Sequence, residues 1–235
     1  MRGGRVRAVV AVAAVAGLLS GCGEDAAPEK RSATTAPATA DGRAPATVSP
    51  PVAAPLTAAL AARALPTLVV PGLPKETHRA VEPADFLCPG ASPAVDPLDS
   101  WCEGLLHGGT AVWAKHSPEQ GEGWSVGLTV RAYRDAAAAR ASYTTERTGS
   151  ASDRTVRSVP ATALGDERAR FHGQGSLGAR DSLLIRSGTV VIRLEVNGPV
   201  APEITGRIPG YGAAAVAAAQ RAQTDALAAG ATTKG

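Results

Sequence analysis

The sequence predicts an α+β domain, an antiparallel β-sheet of about five strands with helices packed on it, preceded by a disordered tether. Three observations predict it. Apolar and polar residues alternate from Trp124 to Tyr133; "DSLLIRSGTVVIRLEVNG" reads as two apolar strands about a tight turn; and "YGAAAVAAAQRAQTDALAAG" is an alanine-rich run closed by Gly230. Alternation with period two puts one face of a strand in a core, whereas a long alanine-rich run without breakers favours a helix.

The chain opens with Arg2, Arg5 and Arg7 and continues into an apolar stretch of 12 residues, Ala8 to Leu19. Spanning a bilayer as a helix takes about 20. A basic start, a short apolar centre and small residues after it form an export leader. Leu19, Ser20, Gly21 and Cys22 resemble the lipobox of bacterial lipoproteins, in which the cysteine receives a diacylglyceryl group and becomes the first residue after cleavage. Residues 1–21 are therefore expected to be a lipoprotein signal peptide and Cys22 the lipidation site, a membrane anchor on the outer face of the cytoplasmic membrane. Of 24 basic residues, the leader removes three arginines; 21 remain against 21 acidic residues, so the mature chain is formally neutral. That balance argues against a nucleic-acid partner, which needs a concentrated basic face.

Residues 22–55 are Ala, Pro, Thr and Ser with scattered charges and almost no large apolar side chain. Such a segment cannot offset its ordering entropy by burial and is expected to be a disordered tether. As a flexible chain it spans on the order of 30 Å, holding the domain of residues 56–235 away from the membrane and into the cell wall.

Within that domain Leu56 to Leu65 forms a short helix stopped by Pro66, and "FLCPGASPAVDPLDSWC" is a proline-rich loop. After export Cys88 and Cys102 are the remaining thiols, and an oxidising compartment makes them a disulfide. A metal site of Cys88, Cys102 and His107 is the alternative, but neither C-x-x-C nor H-x-x-x-H spacing brings ligands together locally. Gly109 to Lys115 and Trp124 to Tyr133 are the next strands. Asp135 caps a helix running to about Arg147, with Tyr143 as its one large anchor. "TVRSVP" is a short strand or edge; the chain turns at Gly165-Asp166 and runs as a strand to about His172. The following hairpin turns at Ser187-Gly188, which sets Ile185 opposite Val190 and Leu183 opposite Ile192. The last helix spans about Tyr211 to Ala229, with Val216, Gln220, Gln223 and Leu227 on its inner stripe.

Candidate chemistry is sparse. Gly173, Gly175 and Gly178 have G-x-G-x-x-G spacing, but a strand rather than a helix follows, so no helix N-terminus receives a pyrophosphate. Ser176 lacks the glycine two places before it that a G-x-S-x-G nucleophile needs. His78, His107, His116 and His172 are scattered. No catalytic, cofactor-binding or metal-ligating residue is assigned, and no enzyme activity is expected. Trp113 and Trp124 are expected to be a core pair. Trp101, beside Cys102, either packs on the disulfide or lines a ligand cleft.

"VGLTVRAYRDAAAARASY", "VPATALGDERARF" and "RDSLLIRSGTVVIRLEV", with the terminal helix, resemble actinobacterial cell-surface lipoproteins with a sensor-like domain, similar to the extracellular domain of PknH-type kinases. The resemblance implies an antiparallel sheet with packed helices and a cleft for an unidentified ligand. It also implies two disulfides, of which this chain has cysteines for one, and no kinase domain is attached. The expectation is a non-catalytic ligand-binding or sensing domain for a small molecule or envelope component; the alternative is a scaffold contacting a membrane or cell-wall protein, and after that a hydrolase.

Overall fold

The computed structural model describes residues 54–73, 76–88, 101–117, 122–175, 178–198 and 202–232. The leader, Leu19, Ser20, Gly21 and Cys22, the tether up to residue 53, the interior of the proline-rich loop and Ser176 lie outside the described residues.

The described part is mixed α and β, with seven strands in one open antiparallel sheet rather than the expected five or so. The strands are β1 (His78–Pro83), β2 (Leu105–Ser117), β3 (Glu122–Tyr133), β4 (Val156–Val159), β5 (Glu167–Gly175), β6 (Gly178–Ser187) and β7 (Val190–Asn197). The helices are α1 (Ala58–Arg63), α2 (Ala84–Leu87), α3 (Ala136–Ser152) and α4 (Pro202–Thr232). The order across the sheet is β1-β2-β3-β7-β6-β5-β4. The chain thus makes one meander, crosses over a sheet face with α3, starts again at the far edge, and returns until β7 zips onto β3.

Strand β1 escapes the pattern because "HRAVEP" is a sheet edge with one inward apolar residue, Val81. Strand β2 begins four residues earlier than expected. Gly108 looks like a turn residue in the sequence, yet it lies within the strand because α2 rests on it: a Cβ there would collide with Leu87.

The sheet sorts its side chains as period two requires. Val126, Leu128, Val130 and Ala132 of β3 and Val190, Ile192, Leu194 and Val196 of β7 are at most 1% exposed on one face. There they meet α1, the segment through Leu73, and α4 in the main core. Trp113 belongs to that core, whereas Trp124 is half-buried at its margin. Arg131 and Tyr133, with Val191, Leu184 and Phe171, take the other face, covered at one end by α3 through Ala139 and Tyr143. Asp135 caps α3, its Oδ1 accepting the Ala138 N–H at 2.8 Å.

Two details correct the sequence reading. The β6–β7 hairpin turns at Gly188-Thr189, with Ser187 opposite Val190, Ile185 opposite Ile192 and Leu183 opposite Leu194. Gly188 has φ 59°, the left-handed first position of a primed hairpin turn. The slip is two residues, so every side chain keeps its face. Helix α4 begins at Pro202, nine residues early, and continues through Pro209. An interior proline costs about 3 kcal/mol. Buried Ile204 and Ile208, one turn apart, each return about 1.5–3 kcal/mol, and Tyr211 adds to them. The inner face is Ile204, Ile208, Tyr211, Ala215, Ala219 and Ala222. Val216 and Gln223 of the expected stripe are buried, but Gln220 and Leu227 are exposed.

Candidate functional site

The second face of the sheet carries charges where a strand buried on both sides would carry aliphatics. Arg131 on β3, Arg193 and Glu195 on β7 and Arg180 on β6 alternate with core residues and therefore all point away from α4. Helix α3 covers the Tyr133 end of this face and brings Glu146 over the middle. The result is a groove between α3 and the sheet, with a cavity of about 370 Å³ lined by Trp101, Glu146, Val156, Phe171, Arg180 and Arg193 among others. A smaller cavity of about 180 Å³ shares Trp101, Glu146 and Arg193 and reaches Thr110, Thr129 and Arg131.

The charges form a chain. Arg131 Nη2 donates to Glu146 Oε1 at 2.5 Å. Arg193 Nη1 lies 3.8 Å from the same Glu146 oxygen, and its Nη2 is 2.8 Å from Glu195 Oε2. Arg180 Nη2 donates to Glu195 Oε2 at 2.9 Å, and Asn197 Nδ2 to Glu195 Oε1 at 3.0 Å. Burial works to raise the pKa of Glu195, but Arg193, Asn197 and Arg180 outweigh it and hold the carboxyl below its ordinary range. Three guanidiniums stand against two carboxylates, and the pairing is incomplete. Arg131 Nε, Glu146 Oε2 and Arg180 Nε are buried with no hydrogen-bond partner among the described residues. Buried polar atoms are as a rule paired, so three together mark this face as a place built for polar contacts.

Trp101 is set by three restraints. The Cys88–Cys102 disulfide, as expected from the sequence, ties its neighbour to the end of α2. Its carbonyl accepts the Tyr133 hydroxyl at 2.9 Å. Its ring lies 5.1 Å from the Arg131 guanidinium carbon, a cation–π contact. The two sequence alternatives for Trp101 are therefore compatible: the residue packs in the small cluster around α2 and Cys88 and also lines both cavities. Phe171 is the second aromatic residue that lines the larger cavity.

Sulfurs joined in a disulfide are not free thiolates, so the Cys88, Cys102, His107 metal set is unavailable. No histidine lines either cavity among the described residues, and His172 lies beside Asp181 on the opposite face, Nδ1 to Oδ2 3.7 Å. Gly173 and Gly175 end β5 and Gly178 opens β6, so the glycine triplet marks a hairpin end. Sequence reasoning singled out Trp101, which lines both cavities, but not Arg131, Glu146, Arg180, Arg193 or Glu195. A signal was present in "VIRLEV", where Arg193 and Glu195 interrupt an apolar run at strand spacing. Compared with models of protein families, with curated proteins and with solved structures, the chain finds no match.

Proposed function

We propose that this is a lipid-anchored extracytoplasmic lipoprotein, held to the outer face of the cytoplasmic membrane through Cys22, whose domain binds a small molecule or envelope component without transforming it. The observation that carries the binding reading is the groove itself: a cavity of about 370 Å³ lined by Trp101, Phe171, Glu146, Arg180 and Arg193, with Arg131 in the adjoining smaller cavity, and with Arg131 Nε, Arg180 Nε and Glu146 Oε2 left without a hydrogen-bond partner among the described residues. That volume falls in the range of small-molecule sites, about 300–1,000 Å³, and convergent polar groups between apolar walls give such sites their selectivity. The three guanidiniums favour a ligand with an anionic group, and Trp101 and Phe171 favour a ring or apolar body beside it. The scaffold reading needs a contiguous exposed apolar patch. Val69, Phe86 and Leu227, the exposed large apolar residues among those described, lie on separate segments of the chain.

Native mass spectrometry of the full chain, purified from its own envelope before and after organic extraction, tests this reading. A diacylglyceryl increment on Cys22 and a second, extractable mass are expected. A chain without the acyl increment would overturn the anchor, and one with no extractable mass would overturn the binding assignment.

A further inference from the structure

We infer that the groove between α3 and the sheet takes a monoanionic sugar, a hydroxylated ring bearing one carboxylate. The inference rests on the binding reading above and names the chemistry of the occupant.

The polar groups at the groove are of both kinds. Arg131 Nε and Arg180 Nε are unpaired donors among the described residues, and Glu146 Oε2 is an unpaired acceptor. Arg131, whose side chain is 7% exposed, lines the smaller cavity, and Glu146 lines both. Ser182 adds a hydroxyl: it is buried, lines the larger cavity, and makes no side-chain hydrogen bond among the described residues. A bare carboxylate or phosphate at neutral pH offers acceptors to the arginines but no donor to Glu146, and turns lone pairs towards it. An ammonium has the opposite fault. A ring hydroxyl both donates and accepts, so several on one ring meet the whole set. Arg180 and Ser182 are two residues apart on one face of β6, about 6.7 Å along the strand, within the span of a single small ligand.

Charge decides the acidic group. Arg131, Arg180 and Arg193 stand against Glu146 and Glu195, one positive charge in excess. Asp153 also lines the larger cavity, but it is exposed, and its Oδ1 already accepts from the Thr155 N–H and hydroxyl. Water and salt screen its charge, so it weighs less than the part-buried pairs. One carboxylate matches the excess, whereas a phosphate monoester, with about −1.5 to −2 at pH 7, overshoots it. The negative face of an aromatic ring attracts the C–H bonds of a sugar, and Trp101 and Phe171 both line the larger cavity.

Isothermal titration of the full chain, extracted and held in neutral detergent, with three small ligands tests the inference. Methyl glucuronide has the hydroxyls and the carboxylate, methyl glucoside lacks the carboxylate, and cyclohexanecarboxylate lacks the hydroxyls. Methyl glucuronide is expected to bind about tenfold or more tightly than either of the others, because each of them leaves part of the polar set unpaired. Arg180→Gln should weaken methyl glucuronide and cyclohexanecarboxylate and spare methyl glucoside. Ser182→Ala should weaken the two sugars and spare cyclohexanecarboxylate, a crossed pattern that a loss of fold would not produce. Arg221→Gln, an exposed arginine on α4, should change none of the three. Cyclohexanecarboxylate binding as tightly as methyl glucuronide would overturn the sugar and leave the binding reading standing, and methyl glucoside binding as tightly would overturn the acidic group. No binding of any of the three, or binding that neither Arg180→Gln nor Ser182→Ala alters, would overturn the inference. The binding reading falls with it only if the same preparation also yields no extractable mass.

Discussion

Tyr133 is fully buried, and its hydroxyl does two jobs, reaching the Trp101 carbonyl at 2.9 Å and Ser142 Oγ at 2.6 Å. Burial raises its pKa, keeping the phenol neutral and able to donate. Tyr133→Phe keeps the ring but strands both partners, and a buried unsatisfied group costs about 1–3 kcal/mol. Urea unfolding should show a loss in that range. A second residue-scale prediction concerns acid. The Glu195 carboxyl, lowered in the folded state against its ordinary value of 4.5, contributes stability that is complete above that value and lost as pH falls through the folded pKa. Wild-type stability should therefore decline below about pH 4.5, while Glu195→Gln should show a shallower acid limb in unfolding measured from pH 6 to pH 3. These groups were hard to read from sequence. Part of their setting comes from distant neighbours, Arg180 and Glu195 being 15 positions apart and Trp101 and Tyr133 32, and no local pattern states which of these groups will meet.

At the scale of elements, the β6–β7 hairpin shows what local pattern can and cannot decide. Alternation placed both strands and every face, because a register error of two residues leaves the apolar set together. It could not choose the turn, since that choice is made by α4. Gln223 Oε1 accepts the Thr189 N–H at 3.1 Å, and Gln223 Nε2 donates to the Ser187 carbonyl at 3.1 Å, pinning both ends of the turn inside the core. Gln223→Leu leaves two buried backbone groups unpaired, at about 1–3 kcal/mol each. Amide exchange at Thr189 should accelerate well beyond that of the β3 core. Helix α4 itself was half legible: its alanines announced a helix from about Tyr211, but the segment before it, which contains Pro209, has no such run, and the burial of Ile204 and Ile208 against the sheet carries the helix through it. Strand β1 was illegible because an edge strand with one inward residue has no periodicity to detect.

For the molecule as a whole, the two sheet faces have different work. One is an apolar core closed by α1 and α4; the other is a charged groove roofed by α3 and flanked by the disulfide-tied Trp101. The fold class and the disulfide were readable because alternation and thiol number are properties of the chain. The groove was not, since it exists only where α3 leaves part of a face uncovered. The disulfide closes a loop whose ends are 14 positions apart. Cys102→Ser should lower stability by roughly 3 kcal/mol in calorimetric or denaturant unfolding, and should free Trp101 to move off Arg131. The central claim, that the α3 face is where a ligand sits, is tested most directly by hydrogen–deuterium exchange on protein purified from its own host, before and after organic extraction. The account predicts that extraction speeds exchange in Thr129–Arg131, Thr145–Ser150 and Arg193–Glu195 and leaves α4 unchanged. Identical exchange in both preparations, or a change confined to the α4 face, would contradict it.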